Sequence, residues 1–228
     1  MKVTYIQHSG FMVECEENVL VFDYYRGMLP PVSKDKSFYV FASHSHGDHF
    51  QQEIFDWEKD YPRIHYILSD DIQAETAANR LFLGPDEECG LGDLRIKTLR
   101  STDEGVAFFV SVQDGGQIRN IYHAGDLNWW HWEEESAAYN REMEQNFKKA
   151  LLPMEGARID VAFLPADPRL EDAYYLGFDW FMRHTDTKRA YPMHLWRRYG
   201  VIDKLRSQPE AKDYRDRIVR LGKEDECR

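Results

Sequence analysis

Three imidazoles and a carboxylate fall within six residues at His44-Ser45-His46-Gly47-Asp48-His49. Neutral imidazole and ionised carboxylate are donors suited to zinc, iron or manganese, and no cysteine stands nearby to build a closed thiolate site. The preceding run Ser37-Phe38-Tyr39-Val40-Phe41-Ala42 reads as a buried strand. His44 and His46 leave its end in extended chain, where a period of two sends both rings to one side and lets them share an ion. Gly47 supplies the freedom for a sharp turn. Asp48 and His49 then stand at the start of a helix expected over Gln51 to Glu58 and face a second position. One or two divalent ions follow.

The H-x-H-x-D-H run resembles the signature of the metallo-β-lactamase superfamily, and later residues that such a site needs are also present. Ile121-Tyr122-His123-Ala124-Gly125-Asp126 matches a strand leading to a bridging Asp, and Ala190-Tyr191-Pro192-Met193-His194 matches the strand before a final His. The opening, Gln7-His8-Ser9-Gly10-Phe11 followed by Val19-Leu20-Val21-Phe22-Asp23, is similar to the branch containing ascorbate-6-phosphate lactonase and related hydrolases. The resemblance implies a four-layer αββα sandwich. It also implies that His44 and His46 hold one metal, Asp126 bridges, and Asp48, His49 and His194 hold the other, with Asp48 orienting the nucleophile. Asp23 would fix the histidine loop through hydrogen bonds, and His8 would be a further metal ligand or lie near the site.

The superfamily's usual third histidine at the first position falls here in Leu99-Arg100-Ser101-Thr102-Asp103-Glu104-Gly105, which contains none. Ser101 takes its place, with Asp103 two residues on and on the same side of an extended chain. Either Asp103 substitutes, or water fills the gap, or the first position is weak. Zinc is the first expectation, and manganese or iron accepts the same donors.

The elements that must position these residues are legible in order. Val3 to Ile6, Phe11 to Cys15 and Val19 to Phe22 read as an antiparallel meander. Tyr24 to Lys36, with Gly27, Pro30 and Pro31, reads as an irregular loop bordering the pocket. Ile64 to Leu68 is a strand, and a short helix is expected from Asp70 through Asn79 with Ser69 as its cap. His65, inside that strand, reads as packing. Leu94 to Leu99, Val106 to Gln113 and Ile118 to Tyr122 form a second meander around the hairpin signal Asp114-Gly115-Gly116. Trp129, Trp130 and Trp132 cluster with His131 at the site mouth. Glu133-Glu134-Glu135 reads as the acidic first turn of a helix running to Leu151, with Ala138, Met143, Phe147, Ala150 and Leu151 as its core stripe. Ile159 to Leu164 is a buried strand, Arg169 in the following loop is a candidate anion contact, and Leu170 to His184 is helical. Lys223 to Arg228 reads as a solvated tail.

A chain of 228 residues can bury one substantial core, so a single domain over 1–228 is expected. No apolar run is long enough to span a bilayer and the start shows no signal-peptide pattern, which places the protein in the cytoplasm. Three separated cysteines, Cys15, Cys89 and Cys227, argue for a reducing compartment over a disulfide framework. A net charge of −11 disfavours nucleic-acid partners and a nuclease role. The function expected is that of a metal-dependent hydrolase directing a metal-activated hydroxide at a small ester, lactone or phosphorylated metabolite. The alternative class is a catalytically degenerate metal-containing protein that binds or senses a ligand.

Overall fold

The first three strands, β1 (Lys2–Gln7), β2 (Gly10–Glu14) and β3 (Asn18–Phe22), form the expected antiparallel meander in a computed structural model that describes residues 1–222. Cys227 and the segment Lys223 to Arg228, read above as a solvated tail, lie outside the described residues. From β3 onward this sheet turns parallel, with β4 (Ser37–Ala42), β5 (Ile64–Ser69) and β6 (Arg80–Leu83) added in sequence order. The second sheet is built from β7 (Glu88–Leu91), β8 (Leu94–Arg100), β9 (Val106–Asp114), β10 (Gln117–His123), β12 (Val161–Pro165) and β14 (Ala190–Met193). Two short strands, β11 (Arg158–Ile159) and β13 (Asp186–Thr187), pair separately.

The two six-stranded sheets pack face to face over one apolar layer, in which Phe11 stacks on Phe163 at 4.2 Å and Phe22 stacks on Phe41 at 4.7 Å. Strands β3, β4 and β5 are buried on both faces, which is why they read as continuous apolar runs and not as alternating ones. Their outer face carries Val21, Phe38, Val40 and Tyr66 and is covered by a 3₁₀ segment, Gln52–Lys59, whose Ile54 carbonyl accepts from Tyr66 Oη at 3.0 Å. The second sheet is covered by α1 (Ala137–Leu151) and α2 (Leu176–His184), and α3 (Gly200–Ser207) follows β14. This is the four-layer arrangement expected, although its first outer layer is 3₁₀ turns and loops where a helix was read over Gln51 to Glu58. Among the described residues no helix is long and apolar enough to cross a membrane.

The hairpin signal is correct: Gly115 and Gly116 take φ of +55° and +78°, as a two-residue turn with positive φ at both positions requires. Four local readings are corrected. Residues 70–79 form no helix. Ser69 ends β5, Asp71 Oδ2 accepts the Ser45 N–H at 2.8 Å, and the chain must return as β6, so tertiary bonds outweigh the helix signal. Glu133 to Glu135 precede the cap of α1, where Ser136 Oγ accepts the Tyr139 N–H at 3.1 Å, and Ala138 is exposed. Ile159 to Leu164 divides into β11 and β12. Leu170 to His184 divides into a 3₁₀ segment, Pro168–Ala173, itself kinked at Glu171 with φ of +50°, and α2.

Candidate metal centre

Strand order brings the site together. Pairing of β3 with β4 is parallel, as is that of β10 with β12 and of β12 with β14, so Asp23, Ser43-His44, Asp126, Asp167 and His194 all follow the carboxyl ends of neighbouring strands. This is the edge at which open α/β sheets place ligands. His8 arrives from the β1–β2 turn. The backbone is strained here: His8, Asp23, His194, Trp196 and Arg197 all have φ between +44° and +61°. Non-glycine residues in that region are uncommon and concentrate at functional sites.

Two groups of ligand atoms form. His44, His46 and Asp126 converge to within 4.8 Å of one another, and so do His8, His49 and His194. Asp126 joins them: its Oδ2 lies 3.6 Å from His44 Nε2, and its Oδ1 lies 3.3 Å from His49 Nε2 and 2.8 Å from His194 Nε2. Both Asp126 Oδ1 and His44 Nε2 are buried without a hydrogen bond of acceptable geometry.

Buried partners fix the rings. Asp23 accepts the Ser43 N–H at 2.8 Å and Ser43 Oγ–H at 2.7 Å, and it lies 2.7 Å from His49 Nδ1. Ser43 Oγ, spending its proton on Asp23, accepts from His44 Nδ1 at 3.0 Å. Asp167 is fully buried, 3.3 Å from His194 Nδ1, and takes the Trp196 Nε1–H at 3.1 Å. With protons held on Nδ1, the Nε2 lone pairs of His44, His49 and His194 point inward, the tautomer a metal needs. His49 Nε2 and His194 Nε2 are then only 3.0 Å apart, a contact that a proton on His194 Nε2, donated to Asp126, or a cation held by both rings relieves. Asp167 is paired with Arg169, but Asp23 and Asp126 are buried carboxylates whose close partners are imidazoles, and their charge is costly to bury without a cation. The donor set therefore fits a divalent metal.

Ionisation follows the same geometry. Burial works against the charge on Asp126, but His194 and His49 hold its carboxyl well below the usual range. Burial likewise opposes Asp23, which His123 and His49 bring down to about 2. His44 is pushed down to about 4 by burial and by His49. His194 is raised to about 10 because Asp126 and Asp167 outweigh its burial.

The remaining expected residues divide. Asp48 is one-third exposed, with Oδ2 3.3 Å from His8 Nε2, and it does not belong to either converging group. Ser101 Oγ accepts the Asp103 N–H at 3.2 Å, and both residues line a depression beside α1. The Asp103 carboxyl is raised by burial and by Asp126. Glu104 Oε2 lies 3.3 Å from His46 Nε2. Arg169 is engaged by both oxygens of Asp167 and stacks over Trp196. Trp130 is a wall of the centre, its ring 5.8 Å from His194 and its Nε1 donating to the Asp126 carbonyl, whereas Trp129 packs on Phe147 of α1. His65 stacks on Tyr39, away from the centre.

Sequence reasoning missed Glu104, Asp167 and His123. His123 is fully buried, stacks on Phe22, lies 2.9 Å from the Ser9 carbonyl through Nε2, and accepts the Gly125 N–H at Nδ1, tying the His8 turn to the Asp126 turn. A histidine inside the strand leading to the bridging Asp was the available signal.

No family model and no curated relative matches the chain. Solved structures do. The metallo-β-lactamase fold protein YhfI from Bacillus subtilis superposes with a TM-score of 0.63 at 15% identity, covering 99% of this chain and 97% of that one. Igni18, a metallo hydrolase from the hyperthermophilic archaeon Ignicoccus hospitalis, superposes with a TM-score of 0.57 at 18% identity, covering 99% and 96%. The chain thus has the metallo-β-lactamase fold.

Proposed function

We propose that the protein is a metal-dependent hydrolase of small esters, lactones or phosphorylated metabolites, akin to the ascorbate-6-phosphate lactonase-like branch and working in the cytoplasm. The observation that carries this is the division of the Asp126 carboxylate, one oxygen toward His44 and the other toward His49 and His194. His44 and His46 would hold one ion, His49 and His194 the other, with Asp126 between; zinc is the first choice, and manganese or iron suits the same donors. Such an ion supplies a Lewis acid and lowers the pKa of a water from that of bulk to about 7.

The chain's own groups supply the rest. The neighbouring imidazoles, His8 first and then His49 and His194, hold Asp48 ionised well below the usual carboxylate range despite partial burial, so its carboxylate can accept a hydrogen bond from the attacking water and orient it. Asp48 and His8 open onto a cavity of about 150 Å³ also lined by Tyr25, Arg26, Trp196 and Arg197. Arg26, whose Nε donates to Gln7 Oε1 at 2.6 Å, brings a guanidinium to this cavity, a group suited to a substrate that carries its own carboxylate or phosphate. The cavity suits a small molecule rather than a polymer.

The test is a panel of lactone, carboxylic ester and phosphoester substrates assayed with zinc or manganese, wild type beside Asp126→Ala. Turnover of one class by the wild type, lost in the variant, is expected. Metal-loaded protein inert toward every class would favour the ligand-binding or sensing alternative.

A further inference from the structure

His8 is buried in the β1–β2 turn at 7% exposure, with φ of +55°. The left-handed region is unfavourable for a non-glycine residue, a strain that persists only where the surroundings enforce it. Here Tyr5 Oη accepts the His8 N–H at 3.0 Å, and the ring is held 4.3 Å from that of His194 and 4.7 Å from that of Trp196. The buried Nε2 makes no hydrogen bond of acceptable geometry, even with Asp48 Oδ2 3.3 Å away. A ring nitrogen of His8 converges with those of His49 and His194, whereas Asp48 stands outside that group.

We propose that His8, together with His49 and His194, holds the second metal ion, and that Asp48 stands at the cavity mouth and is not a ligand. The assignment rests on the metal-hydrolase reading of the same centre. It makes the second position one of three imidazoles and the Asp126 carboxylate. Imidazole-rich sites suit zinc, and oxygen-rich sites suit manganese. The second equivalent should therefore select zinc over manganese, while the first, with His44, His46, Asp126 and the neighbouring Glu104, discriminates less.

The experiment titrates metal-free full-length protein with zinc, manganese and cobalt against a chromophoric chelator. It compares the wild type with His8→Asn, His8→Gly and Asp48→Asn. Asparagine and glycine both tolerate a left-handed φ and neither carries an imidazole, so the turn is kept while the ligand is lost. Circular dichroism of the metal-free variants checks the fold. We expect two zinc equivalents in the wild type and in Asp48→Asn. In both His8 variants one equivalent should weaken by more than about 100-fold, since even residues that only support metal ligands cost about 10–100-fold. The visible spectrum of the cobalt protein should lose one site's band in His8→Asn, and free imidazole should restore it in His8→Gly. Wild-type affinity for both ions in His8→Asn would overturn the assignment. So would loss of the second ion in Asp48→Asn with its retention in His8→Asn. A wild type that hydrolyses substrate while His8→Asn binds normally sinks the ligand assignment alone. A His8-dependent second ion in a protein inert toward every substrate sinks the hydrolase alone.

Discussion

Replacing Asp23 by asparagine isolates the partner that orients the centre without touching a ligand. Asp23 is fully buried at φ +44°, a conformation that asparagine tolerates, and the two side chains have the same shape, so no cavity forms. The amide oxygen keeps the Ser43 N–H bond that Oδ1 now accepts. The amide nitrogen replaces Oδ2, which serves both Ser43 Oγ and His49 Nδ1. Ser43 Oγ can rotate to accept, but His49 Nδ1–H is left without an acceptor, and an unsatisfied buried donor costs about 1–3 kcal/mol. His49 escapes by moving its proton to Nε2, which relieves the metal-free protein but points an N–H at the ion. We expect metal affinity to fall about 10–100-fold, equivalent to about 1.4–2.7 kcal/mol, with a smaller loss of melting temperature without metal than with it. Chelator competition and thermal melts with and without metal measure both. Unchanged affinity in Asp23→Asn would refute the orienting role.

Three further outcomes are expected. Gly105→Ala should unfold the protein or cost more than about 4 kcal/mol, because at φ +66° its Cβ would lie 1.9 Å from the Ser43 carbonyl oxygen; Gly156→Ala, at φ +68° in open space, should cost only roughly 1–2 kcal/mol in a denaturant titration. Burial opposes the charge on Asp160, but Lys188 at 2.8 Å and the Asn120 N–H at 3.0 Å depress its pKa, so its contribution is complete above the unfolded value of about 3.9 and is lost as pH falls through the folded one. Asp160→Asn should therefore lower the melting temperature at neutral pH and converge with the wild type in strong acid; an equal offset at both ends would contradict the linkage. Anisotropy titrations with RNA or single-stranded DNA should show no binding at physiological ionic strength, where the Debye length is about 8 Å, and micromolar affinity would favour a nuclease instead.

The fold and half of the centre were legible because their signals are local. Strands such as Ser37–Ala42 announce themselves by composition, and His44, His46 and His49 lie within six residues of one another. The rest depends on which strands become neighbours. His8 reaches the ring of His194 only because the β1–β2 turn folds toward the end of β14, and Asp167 supports His194 only because β12 and β14 pair in parallel. Neither closeness is written in sequence spacing. The motif alone makes Asp48 a ligand candidate, and spacing gives no sign that its Oδ2 lies 3.3 Å from His8 Nε2. The helix read over 70–79 failed for a related reason: the Ser45 N–H bond to Asp71 and the pairing of β5 with β6 fix that segment from outside.

Metal content of the protein purified without chelator, wild type beside Asp126→Ala, tests the binuclear centre most directly. Asp126 presents an oxygen to each histidine group, so the wild type should hold two equivalents of divalent metal after saturation and the variant should lose most of both. Full stoichiometry in Asp126→Ala, or a wild type that takes up neither zinc, manganese nor iron, would contradict it.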